Sequence, residues 1–160
     1  MIIVLNNIRS SHNVGSIFRT ADAAGCTKLF LCGITPAPVD RFGRVNAEIA
    51  KVALGAETWL PWEATQSCAR VIDRLKKEDC TIIALEQSDQ SIPYTKMRVT
   101  KKEWAHTALV LGNEVKGLSS AILKRADTSI EIPMHGKKES LNVAVAFGVV
   151  IFALRGKMGL

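Results

Sequence analysis

Three polar segments stand where an apolar run gives way to a turn, and their side chains suit ligand binding and acid–base work. The first runs from Asn6 to Ala21 and carries Asn13, Gly15 and Arg19. Asn13 can cap a helix, and Gly15 lets a neighbouring backbone approach closely. Arg19 sits among Ile17, Phe18 and Ala21, and a guanidinium on a largely apolar helix needs an anion or a carbonyl as partner. It follows Asn13 by six positions, about 600° around a helix, so the two side chains do not share a face. The second segment, Ala108–Ser119, drives a buried strand into Gly112, Asn113 and Glu114. That places a carboxylate at the carboxyl end of a strand, where open α/β sheets gather ligands. Gly112 leaves room for a ligand against the backbone, and Gly117 punctuates the turn. The third, Ile130–Ala146, ends a strand at Pro133, crosses the basic loop Gly136–Glu139 and reaches Ser140 as the cap of an apolar helix. Asn142 is the last polar residue before Val143–Leu154. A polar side chain bordering a dry helix needs a partner, so it faces a site or the first segment.

The elements that must hold these segments follow from spacing. Strands are expected at Ile2–Leu5, Leu29–Cys32, Glu57–Leu60, Thr81–Leu85, Thr107–Leu111 and Ser129–Ile132. Helices are expected over Val14–Ala24 (capped by Asn13, stopped by Gly25), Asn46–Leu54, Glu63–Lys77, Ser119–Arg125 and Leu141–Arg155. In the third of these, Cys68, Val71, Ile72 and Leu75 mark a single apolar face. The alternation predicts an α/β domain with a mainly parallel sheet and helices on both faces. Val143–Leu154 is apolar nearly all round, and such a helix must be covered on every side. Other helices of the chain or a second subunit must do this, and the shallow depth of a small domain favours a homodimer.

The chain has 160 residues, 48% hydrophobic and 22% charged, which predicts one folded domain and excludes disorder. The apolar run Val143–Leu154 falls short of the ~20 residues that span a bilayer, and MIIVLNNIRS carries neither a basic leader nor a cleavage site. No membrane segment or signal peptide is expected. Lys and Arg number 21 against 15 acids, a formal +6. Such an excess suits a polyanionic partner as well as it suits plain solubility. Cys26, Cys32, Cys68 and Cys80 form no C-x-x-C pair, so buried thiols in a reducing cytoplasm are expected. His12, His106 and His135 fall at no metal-ligand spacing, and no metal is expected. Dinucleotide, P-loop and nucleophile-elbow fingerprints are absent from the sequence.

Read in order, Asn13–Ala21 (N-x-G-x-x-x-R-T-A), Leu111–Ser119 (L-G-N-E-x-x-G-L-S) and Ile132–Ala146 (I-P-M-x-G-x-x-x-S-L-N-V-A-V-A) resemble the three motifs of the SpoU/TrmH family, within the SPOUT superfamily of RNA methyltransferases. The resemblance implies a SPOUT domain over residues 1–160, with a C-terminal deep trefoil knot and no appended RNA-binding domain. It implies a homodimer that holds S-adenosylmethionine in the knot and methylates a ribose 2′-hydroxyl of tRNA or rRNA. By motif, the cofactor residues are Leu85, Leu111, Gly112, Asn113, Ile132, Met134, Ser140 and Leu141. The catalytic set is Arg19, Asn13, Glu114, Ser140 and Asn142. The family proposal makes the arginine a general base. A guanidinium is essentially never deprotonated in proteins, so electrostatic stabilisation of the developing alkoxide is the reading with less strain. A non-catalytic RNA-binding relative and a SPOUT enzyme that methylates a base are the alternatives. Many relatives carry a proline before the motif asparagine; this chain has Ser10-Ser11-His12 instead, which bears on loop rigidity.

Candidates for RNA contact are Lys96, Arg98, Lys101 and Lys102, which lie with Tyr94 and Trp104 in a stretch that could pair phosphate contact with base stacking. Arg41, Arg44, Lys137 and Lys138 join them.

Overall fold

The computed structural model describes residues 1–158. Seven short runs form strands, the central ones buried almost throughout: β1 Ile2–Asn6, β2 Lys28–Cys32, β3 Trp62–Thr65, β4 Thr81–Leu85, β5 Ile92–Pro93, β6 Thr107–Leu111 and β7 Thr128–Glu131. They build one sheet in the order β3-β2-β1-β6-β4-β7-β5, and every neighbouring pair is parallel. Leu111 stands opposite both Leu5 and Leu85, and Leu85 stands opposite Ile130. The turns that leave β1, β6, β4 and β7 therefore emerge side by side on one carboxyl edge.

Among the described residues the α-helices are α1 Ser11–Ala23, α2 Ala47–Ala53, α3 Ala56–Trp59, α4 Cys68–Lys77, α5 Ser120–Leu123 and α6 Val143–Gly156. Side chains alternate along each strand, so the core has two layers. Ile3, Leu5, Leu29, Leu109 and Leu111 pack with Ile17 and Phe18 of α1, Ile49 of α2 and Phe147, Val150 and Ile151 of α6. Val4, Phe30, Ile82 and Val110 face the other way, onto Val71, Ile72 and Leu75 of α4 and Ile122 of α5. Each large side chain so buried contributes about 1.5–3 kcal/mol. A methyl group on Gly15 would lie 2.8 Å from the Ile49 carbonyl oxygen, so α1 and α2 approach as closely as the glycine suggests. The four cysteines are buried thiols.

Several boundaries differ from expectation. Glu57–Leu60 is not a strand: the helix α3 occupies Ala56–Trp59, and the third strand follows at Trp62–Thr65, where β2 offers a parallel partner. Pairing overrides the local pattern in so short a run. The next helix consequently begins at Cys68 behind Ser67, whose hydroxyl accepts the Arg70 N–H at 3.3 Å. Asn13 is not the cap of α1; the Ser10 hydroxyl takes that place and accepts the Asn13 N–H at 3.2 Å. Nor does Ser140 cap the terminal helix. Asn142 does, its Oδ1 accepting from Ala144 N at 2.9 Å and Val145 N at 3.3 Å.

The terminal helix buries Phe147, Val150, Ile151 and Leu154 but leaves Val145, Val149 and Phe152 at 52%, 38% and 49% exposure. Among the described residues no helix is long and apolar enough to cross a membrane.

Candidate active site

At the carboxyl edge, the ends of β4, β6 and β7 and the start of α6 border two hollows with volumes of about 130 and 190 Å³. Leu85, Glu86, Ser140, Leu141 and Ala146 are common to both. The first is closed by Gln87, Glu131, Ile132 and Met134, the second by Leu111, Gly112, Asn113, Glu114, Val115, Gly117 and Val143. Adjoining through these shared residues, the two together can take a small-molecule ligand. The first hollow is chiefly apolar, with carboxylates at Glu86 and Glu131, and the second is more polar, with Glu86 and Glu114. They can grip a planar ring while accepting hydrogen bonds from hydroxyl or ammonium groups. Among the described residues no group of His, Cys, Asp and Glu could hold a metal.

Gly112 serves a different purpose from the one its position suggests. A methyl group there would lie 2.6 Å from the carbonyl carbon of Gly117 and 2.7 Å from Leu118 N, so the space is filled by the chain's own turn. Gly117 has φ +63°, a conformation that favours glycine, and a side chain on it would strike the Glu86 carboxylate. That carboxylate accepts the Leu118 N–H at 2.6 Å and so fixes the 112–118 turn against β4. Glu86 escaped the sequence reading, yet the signal that singles out Glu114 applies equally to it: an acid at the carboxyl end of a buried strand.

The three polar segments meet in a chain of side-chain hydrogen bonds beside the second hollow. Glu114 accepts the backbone N–H of Arg9 at 3.0 Å, that of Ser10 at 3.2 Å and the Asn13 amide at 3.1 Å. Asn13, buried within α1, accepts the Asn142 side-chain amide at 3.0 Å. The Asn142 carbonyl is already bound to the first amides of α6. Burial pushes the Glu114 pKa up, but the hydrogen bonds from Arg9, Asn13, Ser10 and its own backbone outweigh it, and the net shift is downward. An ionised carboxylate at the start of α1 also suits the helix dipole. Held in this way, Glu114 positions other groups and is a poor proton acceptor.

Other sequence candidates fall elsewhere. Ser140 and Leu141 line the hollows, whereas Asn13 and Asn142 sit behind them. Arg19 stands exposed on the face of α1 turned away from the sheet, apart from both hollows within one chain. Lys96, Arg98, Lys101 and Lys102 are exposed, but Trp104 is not available for stacking: it is buried and donates its indole N–H to Gly25 O at 2.9 Å. Lys101 and Lys102 precede β6 at the amino edge, opposite the hollows. Lys137 and Lys138 stand exposed on the loop beyond Met134, and Arg41 and Arg44 on the connection between β2 and α2.

Residues 1–152 match the model of the SpoU rRNA Methylase family. The chain is 35% identical over 153 residues to the 23S rRNA (guanosine-2′-O-)-methyltransferase RlmB of Xylella fastidiosa, covering 95% of this chain and 57% of that protein. Against the enzyme of the same name in Escherichia coli it is 32% identical over 152 residues, covering 94% and 58%. It thus spans less than two thirds of these relatives. Two crystal structures superpose closely. The A. aeolicus TrmH/SpoU tRNA modifying enzyme (29% identity, TM-score 0.82) is matched over 98% of this chain and 74% of its own. The AdoMet-bound rRNA methyltransferase of Sinorhizobium meliloti (26% identity, TM-score 0.82) is matched over 97% and 55%.

Proposed function

The chain belongs to the SpoU rRNA methylase family, and we propose that it transfers a methyl group from S-adenosylmethionine to a ribose 2′-hydroxyl of rRNA or tRNA. The observation that carries this reading is the Glu114–Asn13–Asn142 chain beside two adjoining hollows that between them are walled by all eight motif-derived cofactor residues. Leu85, Ile132, Met134 and Leu141 suit the adenine ring, and Glu86 and Glu131 suit the ribose hydroxyls and the ammonium group. When bound, the cofactor supplies an electrophilic methyl carbon, so no metal is needed. The protein's task is then to hold the acceptor oxygen in line and exclude water, and such positioning can remove several kcal/mol from the barrier.

In this reading the Glu114–Asn13–Asn142 chain locks the start of α1 and the start of α6 to the cofactor hollow. Arg19, permanently cationic, stabilises the alkoxide as the 2′-proton departs to phosphate or water. The functional unit is a homodimer. Val145, Val149 and Phe152 form one outward stripe on α6, and an apolar stripe of this kind calls for a partner. Arg19 is exposed on α1, which packs against α6, and in this reading the dimer interface covers both. The knot belongs to the same reading and is supported by the hydrogen bond from the Gln87 amide to Glu139 O, which ties the segment before α6 to the loop after β4. Four buried thiols suit a reducing cytoplasm.

The test is incubation with tritiated S-adenosylmethionine and bulk rRNA or tRNA, followed by nuclease digestion. Label in 2′-O-methyl nucleosides is expected. Label on a base, or RNA binding without transfer, rejects the proposal.

A further inference from the structure

We propose that Phe42, with Arg41 and Arg44 beside it, is a stacking platform for a base of the substrate RNA. This inference rests on the reading above and adds to it the surface that receives the strand.

Phe42 is 67% exposed at the tip of the connection between β2 and α2, although a phenyl ring would ordinarily be buried. The tip is a built turn. Asp40 Oδ1 accepts the N–H groups of Phe42 at 2.8 Å and Arg44 at 3.0 Å, and the Asp40 N–H donates to Arg44 O at 3.0 Å. Val39 and Val45 pair across its base. A ring held out so firmly is presented to something.

The charge around it says what. The guanidinium carbons of Arg41 and Arg44 lie 4.7 and 5.2 Å from the ring centroid. Arg44 pairs with Asp40 at 2.7 Å, while Arg41 has no ion pair among the described residues. An exposed cation–π contact is weaker than a base–aromatic stack, so an incoming base displaces a guanidinium, which then meets the phosphate next to it. Ring and cations together match the two faces of a single-stranded nucleotide, its base and its phosphodiester.

The turn is also tied to the candidate site. Asn46 caps α2 and donates its amide to the Ser11 hydroxyl at 3.2 Å, at the start of the helix that carries Asn13 and Arg19. Ile34, in the same connection, walls a cavity with Arg9 and Lys116, neither of which is in an ion pair among the described residues. The connection that presents Phe42 thus also reaches a cavity edged by two cations beside the 112–118 turn.

The experiment compares wild type with Phe42→Ala, Phe42→Trp, Arg41→Ala and Arg44→Ala. Anisotropy of a labelled single-stranded oligoadenylate, competed with bulk rRNA, gives the affinities, calorimetry the S-adenosylmethionine binding and sedimentation the oligomeric state. Phe42→Ala is expected to weaken RNA binding about tenfold with an unchanged salt slope, and Phe42→Trp to restore it. Each arginine variant lowers the slope by about one. Cofactor binding stays constant throughout. If wild type binds RNA and transfers methyl but Phe42→Ala binds within about twofold, the platform is overturned and the function stands. A Phe42→Ala protein that changes oligomeric state at constant RNA affinity assigns the turn to a protein contact and overturns it too. If wild type neither binds RNA nor transfers methyl, the functional reading fails and takes the platform with it.

Discussion

The side-chain amide of Asn142 donates to the side-chain carbonyl of Asn13 at 3.0 Å, across 129 positions of chain. It joins the start of the terminal helix to the first turn of α1, and Asn13 passes the link to Glu114 at 3.1 Å. Because Asn142 Oδ1 also caps α6, one side chain combines two duties that substitution can separate.

Asn142→Ser keeps a capping oxygen but lacks the donor to Asn13. Stability in urea should change by less than about 1 kcal/mol, since the cap survives. The methyl-transfer rate should fall while S-adenosylmethionine affinity holds. Asn142→Ala removes both functions and should cost about 1–2 kcal/mol as well as the rate. Equal rates for the serine variant and wild type would show that the link to Asn13 is structural only.

Glu114 carries a pH signature. Its pKa lies below the ordinary value of 4.5 because hydrogen bonds outweigh the opposing effect of burial. A group with a depressed folded pKa contributes stability above its unfolded pKa and loses that contribution as pH falls through the folded value. The stability gap between wild type and Glu114→Gln should therefore be constant from neutral pH down to about 5, and shrink below about 4.5. At neutral pH it should be about 1–3 kcal/mol, because the amide of Gln cannot replace both acceptor oxygens. Urea titrations of both proteins between pH 3 and 7 check this; a gap that widens in acid would refute it.

Arg19 separates binding from chemistry. Arg19→Ala should bind S-adenosylmethionine as wild type does, because the side chain touches neither hollow within the chain. Transfer should be abolished, since no other cation would stabilise the alkoxide. Calorimetry and tritium transfer on the same sample give both readings. Measurable turnover removes Arg19 from either mechanism, base or electrostatic.

These residues also show what the sequence could and could not disclose. That Asn113, Glu114 and Pro133 follow the ends of buried strands was legible, because apolar runs ending at Gly or Pro announce strand ends. Their adjacency was not: it depends on the order β1-β6-β4-β7, which pairs residues more than a hundred positions apart. Caps were misassigned for a related reason. Ser10 and Asn13 both cap well, and the choice falls to Ser10 because Glu114 and Asn142 claim the Asn13 amide from distant elements. Trp104 could be read as a stacking residue only because its partner, the Gly25 carbonyl, lies 79 positions away.

The apolar excess of the terminal helix was legible throughout, and the structure narrows it to a stripe that can be charged without touching the core. Phe152 is 49% exposed, while Phe147, Val150, Ile151 and Leu154 are fully buried on the opposite face. Phe152→Asp should thus leave the fold and melting temperature nearly unchanged, because surface substitutions usually stay within about 0.5 kcal/mol. It should convert a dimer to a monomer in sedimentation, since an unpaired carboxylate in an apolar interface costs several kcal/mol. Transfer should fall with dimer content and recover partly at high protein concentration, because mass action opposes dissociation. A variant that sediments as wild type would show that the stripe does not hold two copies together, leaving Arg19 without the interface that brings it to the site.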